Sequence, residues 1–416
     1  MTQVSLAEPA APPARNPFDD WRSIVIALYM TLAGYAVMVG IPVISTAWVE
    51  LLGFTEEQVG RVAGADLGGL ALGSVLASLV VKRWNRHHIA YLGVAIAVLA
   101  NGLCMHYVSY EQVLWLRALG GTGAGIFTAV AIATLGGTSK PARAYNLMLF
   151  AFAFSQAAEM QVLPMLSMNG IYWAFIGSFL VSLPFIRFIP TGPHPVVAGA
   201  AHAVREDGGE RAAGPAAPHY LAWLTLTAIF FTYVNIGTYW TYIELAALDA
   251  ALDGEWVGRL LVIVSIGSVV GCLVATVISN RFGLAKPLLA TLAVMAAIVG
   301  ALAPGITYAN LLVSLALFNF LWIFIDVYQL GTVAVLDRKG TFAALTPCAA
   351  GLGQMIGPFT AASLLGSGMG YGSIFTLCAA CALVAMLIYG FMYVRVRAQV
   401  PELVSQKQRE AQPAPS

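Results

Sequence analysis

Five ionisable residues stand inside stretches that are otherwise apolar: Asp66, Arg117, Glu159, Glu244 and Asp326. An ionisable group in hydrocarbon costs several kcal/mol, so each is a functional candidate. Asp66 and Arg117 lie at matching depths, about five to seven residues inside the same end of their segments, which predicts an ion pair. That pair either stays closed as a structural link or opens when Asp66 takes a proton or a ligand engages Arg117. Asp326, in FLWIFIDVYQL, falls near the middle of its segment. There it could exchange protons near neutral pH or pair with a cation. Glu159, beside Gln156 and Gln161, reads as a proton site or a helix–helix hydrogen bond. Glu244 follows the aromatic run Tyr233, Tyr239, Trp240, Tyr242 and either faces water at a mouth or belongs to a site.

These groups need elements that hold them out of water. The chain has 416 residues, 59% apolar and 10% charged, with mean hydropathy +0.79. A soluble domain carries about a quarter charged residues, so a water-soluble globule is excluded. Disorder is excluded too, because disordered chains are poor in apolar residues. The net charge of +1 gives no reason to expect nucleic acid as a partner. Cys104, Cys272, Cys348, Cys378 and Cys381 sit in apolar stretches and read as small core residues. His87, His88, His106, His194, His202 and His219 fall at loops or segment ends. Metal-ligand spacing, nucleophile elbow and phosphate loop are all lacking, so neither an enzyme nor a cofactor is expected.

Apolar runs bounded by charges, Pro and Gly predict an all-α polytopic membrane protein of twelve helices. The spans are 23–45, 59–81, 89–108, 112–135, 144–167, 171–189, 220–246, 256–278, 286–304, 309–334, 342–365 and 371–394. A Pro-, Gly- and Ala-rich polar segment separates the sixth from the seventh and suits a flexible linker. The expected organisation is a tail (1–20), a six-helix bundle (21–190), the linker (191–219), a second bundle (220–396) and a tail (397–416). The first residues lack the layout of a secretory signal, so the first span should remain. Of 21 Lys and Arg, all but Arg61, Arg117 and Arg259 fall on one side of this topology. The positive-inside rule then puts both termini and the linker in the cytoplasm, and the chain in the cytoplasmic (inner) membrane.

The chain also repeats itself. Glu57, Val59, Gly60 and Arg61 recur as Glu255, Val257, Gly258 and Arg259, 198 positions on. Without a gap, Gly69, Gly73, Ala77 and Arg83 match Gly267, Gly271, Ala275 and Arg281. Parallel halves of this kind face each other across a central site and rock about it.

With these features the sequence resembles the major facilitator superfamily of secondary transporters. Gly73 through KRWNRHH (82–88) is similar to that family's loop motif, with Lys82 at its Asp position and Asn85 at its Gly position. The second copy reads Asn280-Arg281-Phe282-Gly283, again without the acid. Arg83, Arg86 and Arg281 would then bond helix-end carbonyls and latch one conformation, or serve as ordinary anchoring charges. Arg117 through Gly120, Gly123 and Gly125 resembles the family's Arg-x-x-x-Gly-x-Gly motif, whose glycines permit close helix contact. Gly34 to Pro42 resembles a family helix-end pattern. Signatures of sugar porters, aromatic-acid symporters and drug antiporters are missing, although Gly353, Gly357 and Pro358 are similar to part of the last.

The resemblance implies a monomer that works by alternating access, with helices one, four, seven and ten around its cavity. Asn235, Tyr239, Trp240, Asn319, Trp322 and Gln354 are the candidates for lining it, with Asn235 and Gly237 letting helix seven bend. Phe318 and Tyr328 are weaker ones. Four intramembrane carboxyls against one Arg disfavour a dianion. They favour a neutral, cationic or amphipathic aromatic solute, with protons as the coupled partner. A multidrug-type proton antiporter and a non-transporting sensor on the same scaffold are the alternatives.

Overall fold

The computed structural model describes residues 16–81, 83–191, 219–278, 285–336 and 341–399. The expected linker and both tails lie largely outside them, as do Lys82 and Arg281. The chain runs through twelve α-helices: α1 (Trp21–Leu52), α2 (Glu56–Val80), α3 (Arg86–Cys104), α4 (Tyr110–Gly136), α5 (Pro141–Val162), α6 (Met168–Ser182), α7 (His219–Asp249), α8 (Gly254–Ile278), α9 (Ala285–Gly300), α10 (Tyr308–Leu336), α11 (Thr341–Gly366) and α12 (Tyr371–Gln399). Ten of them are long and apolar enough to cross a bilayer. The apolar helix α9, at 16 residues, is shorter than a full span. No strand occurs among the described residues.

Local sequence sets the helix ends. Thr55 and Gln58 cap the start of α2 reciprocally, side chain to backbone in both directions. Asn85 and Ser167 accept backbone N–H bonds at the starts of α3 and α6. α1 departs from expectation. It continues past 45 to Leu52 and stops at Gly53, whose φ of 69° lets the N–H of Gly53 and Phe54 fold back onto Val49 and Trp48. Pro42, which resembled a helix end, lies inside this helix. A helical proline deprives the carbonyl four residues earlier of its donor. The Met38 carbonyl is therefore left without its helical donor.

The repeat is visible in the elements themselves. α1 and α7 begin at Trp21 and His219, α2 and α8 at Glu56 and Gly254, and α4 and α10 at Tyr110 and Tyr308, each pair 198 positions apart. The ion pairs Glu57–Arg61 and Glu255–Arg259 occupy the same register. So does a backbone contact between helices. A Cβ at Gly73 would meet the Thr122 carbonyl oxygen at 2.0 Å, and one at Gly271 would meet that of Phe320 at 2.7 Å. Glycine lets α2 lie directly on α4, and α8 on α10.

Contacts within α1–α6 centre on α4, which packs against α1, α2 and α3. Those within α7–α12 centre on α7, which packs against α11 and α12, and α12 packs in turn against α9. The two sets meet through α2 on α11, α5 on α8 and α1 on α7. The end of the molecule that carries the α1–α2 and α7–α8 turns is called here the far face, and the opposite end the terminus face.

Gly121→Ala should lower the thermal midpoint of the detergent-solubilised protein by the equivalent of about 1–3 kcal/mol. The new methyl would lie 2.1 Å from the Asp66 carbonyl oxygen. Gly177→Ala, where the methyl meets open space, should leave the midpoint unchanged or raise it. Equal effects at both positions would refute the backbone contact.

Candidate functional site

The predicted ion pair is present, and it has a third member. Arg117 donates from Nε to Asp66 Oδ2 at 2.6 Å, and its Nη2 pairs with the same oxygen. Its Nη1 donates to Asn101 Oδ1 at 2.7 Å, and Asn101 in turn donates to the Ala97 carbonyl. Arg117 and Asp66 are 2% and 3% exposed, so the network is shut off from bulk solvent. It joins α2, α3 and α4, all of the first set, and lies away from the contacts between sets. Positions 198 further on hold Val264, Val299 and Leu315, buried together in one apolar cluster. One copy of the repeat thus has a charged triad where the other has aliphatic core. Asn101 was legible as a lone amide in the run LGVAIAVLANGLC but escapes a search for charges.

Several hydrogen bonds join the two sets among the described residues. Trp240 donates from Nε1 to the Val39 carbonyl at 3.0 Å, one residue beyond the Met38 carbonyl whose helical donor Pro42 removes. Gln354 Nε2 lies 3.5 Å from Met38 Sδ, Gln156 donates to Asn319 Oδ1 at 3.1 Å, and Tyr242 to the Glu56 carbonyl at 3.1 Å. Between Met38, Ile41, Gly237, Trp240, Trp322 and Gln354 remains a cavity of about 10 Å³, enough for one water. Of the six candidates for a cavity wall, Trp240, Trp322 and Gln354 border this small void. The other three candidates are turned into helix contacts. Tyr239 shares a hydrogen bond with Ser314 and stacks on Phe318, their centroids 3.9 Å apart. Asn319 is taken up by Gln156 and the Leu315 carbonyl. Asn235 is fully buried with neither amide atom hydrogen-bonded.

Asp326 lies one turn of α10 from Trp322, on the terminus-face side of that cavity. Tyr233 of α7 donates to its Oδ1 at 2.8 Å. Its Oδ2 takes no hydrogen bond from a described residue, and it is not sealed from solvent. Tyr35 of α1 completes the group, within electrostatic range of the carboxyl and 5.6 Å from the Phe152 ring. All of these side chains are half-buried, whereas Tyr239 and Phe318, nearer the far face, are sealed. Tyr35 and Tyr233 are 198 positions apart, and so are Gln156 and Gln354. Applying the repeat offset to Tyr233 would have found Tyr35.

Glu159 and Glu244 sit on either side of α1. Ser155 donates to Glu159 Oε1 at 3.1 Å, while Oε2 has no donor and lies against α1 at Gly40. Glu244 neighbours Thr46 and Glu50 of α1, and its Oε2 is likewise sealed without a donor. Glu244 as a whole is half-buried.

The basic loop is split. Arg83 is exposed. Arg86 is 3% exposed, its guanidinium 4.8 Å from the centroid of the Phe18 ring. A short turn at Pro17–Asp19 holds Phe18 there: Asn16 donates to the Gly137 carbonyl, and Asp19 accepts from the Ser139 N–H. Among the described residues, Arg86 makes no bond to α7–α12.

Repeated helix sets that close around a small cavity of aromatic and amide side chains are the architecture of a secondary transporter. The chain belongs to the Major Facilitator Superfamily, whose family model matches residues 26–345. The crystal structure of the human organic anion transporter MFSD10 (TETRAN) superposes with a TM-score of 0.62 at 15% identity, covering 91% of this chain and 100% of that one. That of the nucleoside transporter NupG gives 0.64 at 12% identity, covering 89% and 98%. These identities establish shared fold. No curated protein matches the chain.

Arg117→Leu alone should destabilise by about 3–5 kcal/mol, because it strands the Asp66 carboxyl. The triple variant Asp66→Val, Asn101→Val, Arg117→Leu copies the aliphatic residues of the second repeat and should recover most of that loss. A triple variant that melts no higher than the single one would show that the two copies are not interchangeable.

Proposed function

We propose that this chain is a proton-coupled transporter of a small organic solute, neutral, cationic or amphipathic aromatic, in the cytoplasmic (inner) membrane. Residues 21–190 and 220–396 are its two moving bundles, it works as a monomer, and both termini face the cytoplasm. The observation that carries this reading is the Tyr35–Tyr233–Asp326 group. It is an open carboxyl between aromatic side chains, where α1, α7 and α10 converge beside a nearly closed cavity.

The hydrogen bonds between the sets lie at the level of this cavity or nearer the far face. This conformation is then the one closed to the outside, with Asp326 reachable from the cytoplasm. Breaking the Trp240, Tyr242 and Gln354 contacts would open the opposite side. Asp326 is the proton and solute site. Glu159 and Glu244, each with a sealed oxygen that an anion tolerates poorly, are carboxyls whose protonation would follow movement of α1. Asp66 and Arg117 act as a fixed anchor, and Arg83, Arg86 and Arg281 as basic residues of the cytoplasmic loops. A multidrug-type proton antiporter is the version of this reading in which solute and proton compete for one carboxyl.

Flux of a solute panel in proteoliposomes under an imposed pH gradient tests the proposal. Gradient-driven flux should appear for at least one solute, and Asp326→Asn should reduce it at least about tenfold. Solute exchange without a gradient should survive the substitution better. Flux whose gradient dependence is unchanged in Asp326→Asn would remove Asp326 from the coupling.

A further inference from the structure

The structure shows which charge the central site lacks. Asp326 carries one carboxyl, and Tyr233 satisfies one of its oxygens. Among the described residues the buried cations are Arg86, which lies on the Phe18 ring, and Arg117, which is consumed by Asp66 and Asn101 in a different interface. Asp326 thus has no counter-charge among the described residues. Position 128, its counterpart 198 residues earlier, holds Thr128, whose hydroxyl is bonded to the Ala124 carbonyl of its own helix. Tyr35 and Tyr233 duplicate each other, and so do Gln156 and Gln354, whereas Asp326, Trp322 and Phe152 have Thr128, Ala124 and Ala350 at their repeat positions. The partner of one unopposed carboxyl is one positive charge. Aromatic faces are suited to a poorly hydrated organic cation, and Tyr35, Phe152, Tyr233 and Trp322 are the half-buried side chains beside it.

We infer that this site takes an organic monocation with a compact aromatic or apolar body, its charged centre at Oδ2 of Asp326. This rests on the reading of the Asp326 group as the solute site. Charge balances simply: one proton leaves the carboxyl as one cation arrives, so the site is neutral before and after. Tyr233 is a positioning residue, holding the carboxyl by Oδ1 so that Oδ2 faces the opening. An anion would meet an uncompensated carboxylate, so the organic anions named for one structural neighbour belong to that protein.

The test uses the purified full-length protein in detergent and three probes of similar shape. Benzyltrimethylammonium carries a permanent charge and no dissociable proton, neopentylbenzene is its neutral isostere, and benzoate is an anion. Titration calorimetry gives affinity, and a pH electrode in weak buffer counts protons. Benzyltrimethylammonium should bind at least about tenfold more tightly than either of the others. It should release up to about one proton per ligand, a yield that falls as pH is raised because the carboxyl has already given its proton up. Asp326→Asn should abolish the release and cost at least about tenfold in cation affinity while sparing the neutral probe. Tyr233→Phe, which keeps the ring, should weaken the cation by less and alter the pH dependence of release. It serves as the second variant should Asp326→Asn fail to fold. Neutral or anionic probes binding as well as the cation, without dependence on Asp326, would overturn the monocation class and leave the solute site standing. Binding of none of the three would overturn the site and the class together.

Discussion

A guanidinium buried among helices in a bilayer has to bring its own polar environment, and the one at Arg117 organises the first half of the chain. Its three nitrogens reach a carboxylate on α2 and an amide on α3 while its backbone belongs to α4. Those bonds form only if α4 lies close to both neighbours. Glycine makes that approach possible, at Gly73 and Gly121 against α4 and α2 and at Gly123 against α3. The motif Arg117 to Gly125 thus combines an electrostatic demand with the steric licence to meet it. The second half meets the same packing problem with Val264, Val299 and Leu315, which need no mutual orientation. A buried charged network adds specificity more readily than net stability. The first copy gains a fixed register, and the second gains freedom from that constraint.

Much of this was legible in the sequence because the bilayer narrows the alternatives. Helices are the economical way to satisfy the backbone in hydrocarbon, so apolar runs map onto elements. The 198-residue offset, visible from eight identities, reappears in helix starts, in an ion-pair register and in a glycine contact. Charge in an apolar run also located Asp66, Arg117 and Asp326, since type alone marks the cost.

What escaped were features set by partners distant in sequence. Pro42 reads locally as a terminator, yet Trp240 reaches the neighbouring Val39 carbonyl and the helix continues. Glu244, near the end of an aromatic run, gives no sign in the sequence that Thr46 and Glu50 of α1 are its neighbours. Tyr239 and Asn319 have the right chemistry for a cavity wall, but period and depth do not say which way a side chain turns on an apolar helix. Arg86 is the clearest case. Its loop motif suggests a latch to the other half, while the Phe18 ring, brought in by the Pro17–Asp19 turn, takes it up.

The duplicated frame also bears on how such a molecule can have a direction. Two related halves joined by symmetric contacts would have no intrinsic preference between their two mouths. Tyr35 and Tyr233, and Gln156 and Gln354, are of the symmetric kind, equivalent in each copy. Besides the Asp66–Asn101–Arg117 network within the first set, departures from symmetry also occur where the halves touch. Pro42 opposes Trp240, its own counterpart position, so one helix offers a backbone carbonyl and the other the donor that closes on it. Asp326 stands where the first copy has Thr128, and Glu159 where the second has Gly357. Each exchange puts a carboxyl or a donor on one side only. Under the proposed reading, occupancy at these positions changes the free energy of the two mouths unequally, and a ligand shifts an equilibrium only by such a difference. On that reading the repeat makes two related conformations available, and the broken repeat supplies the means to choose between them.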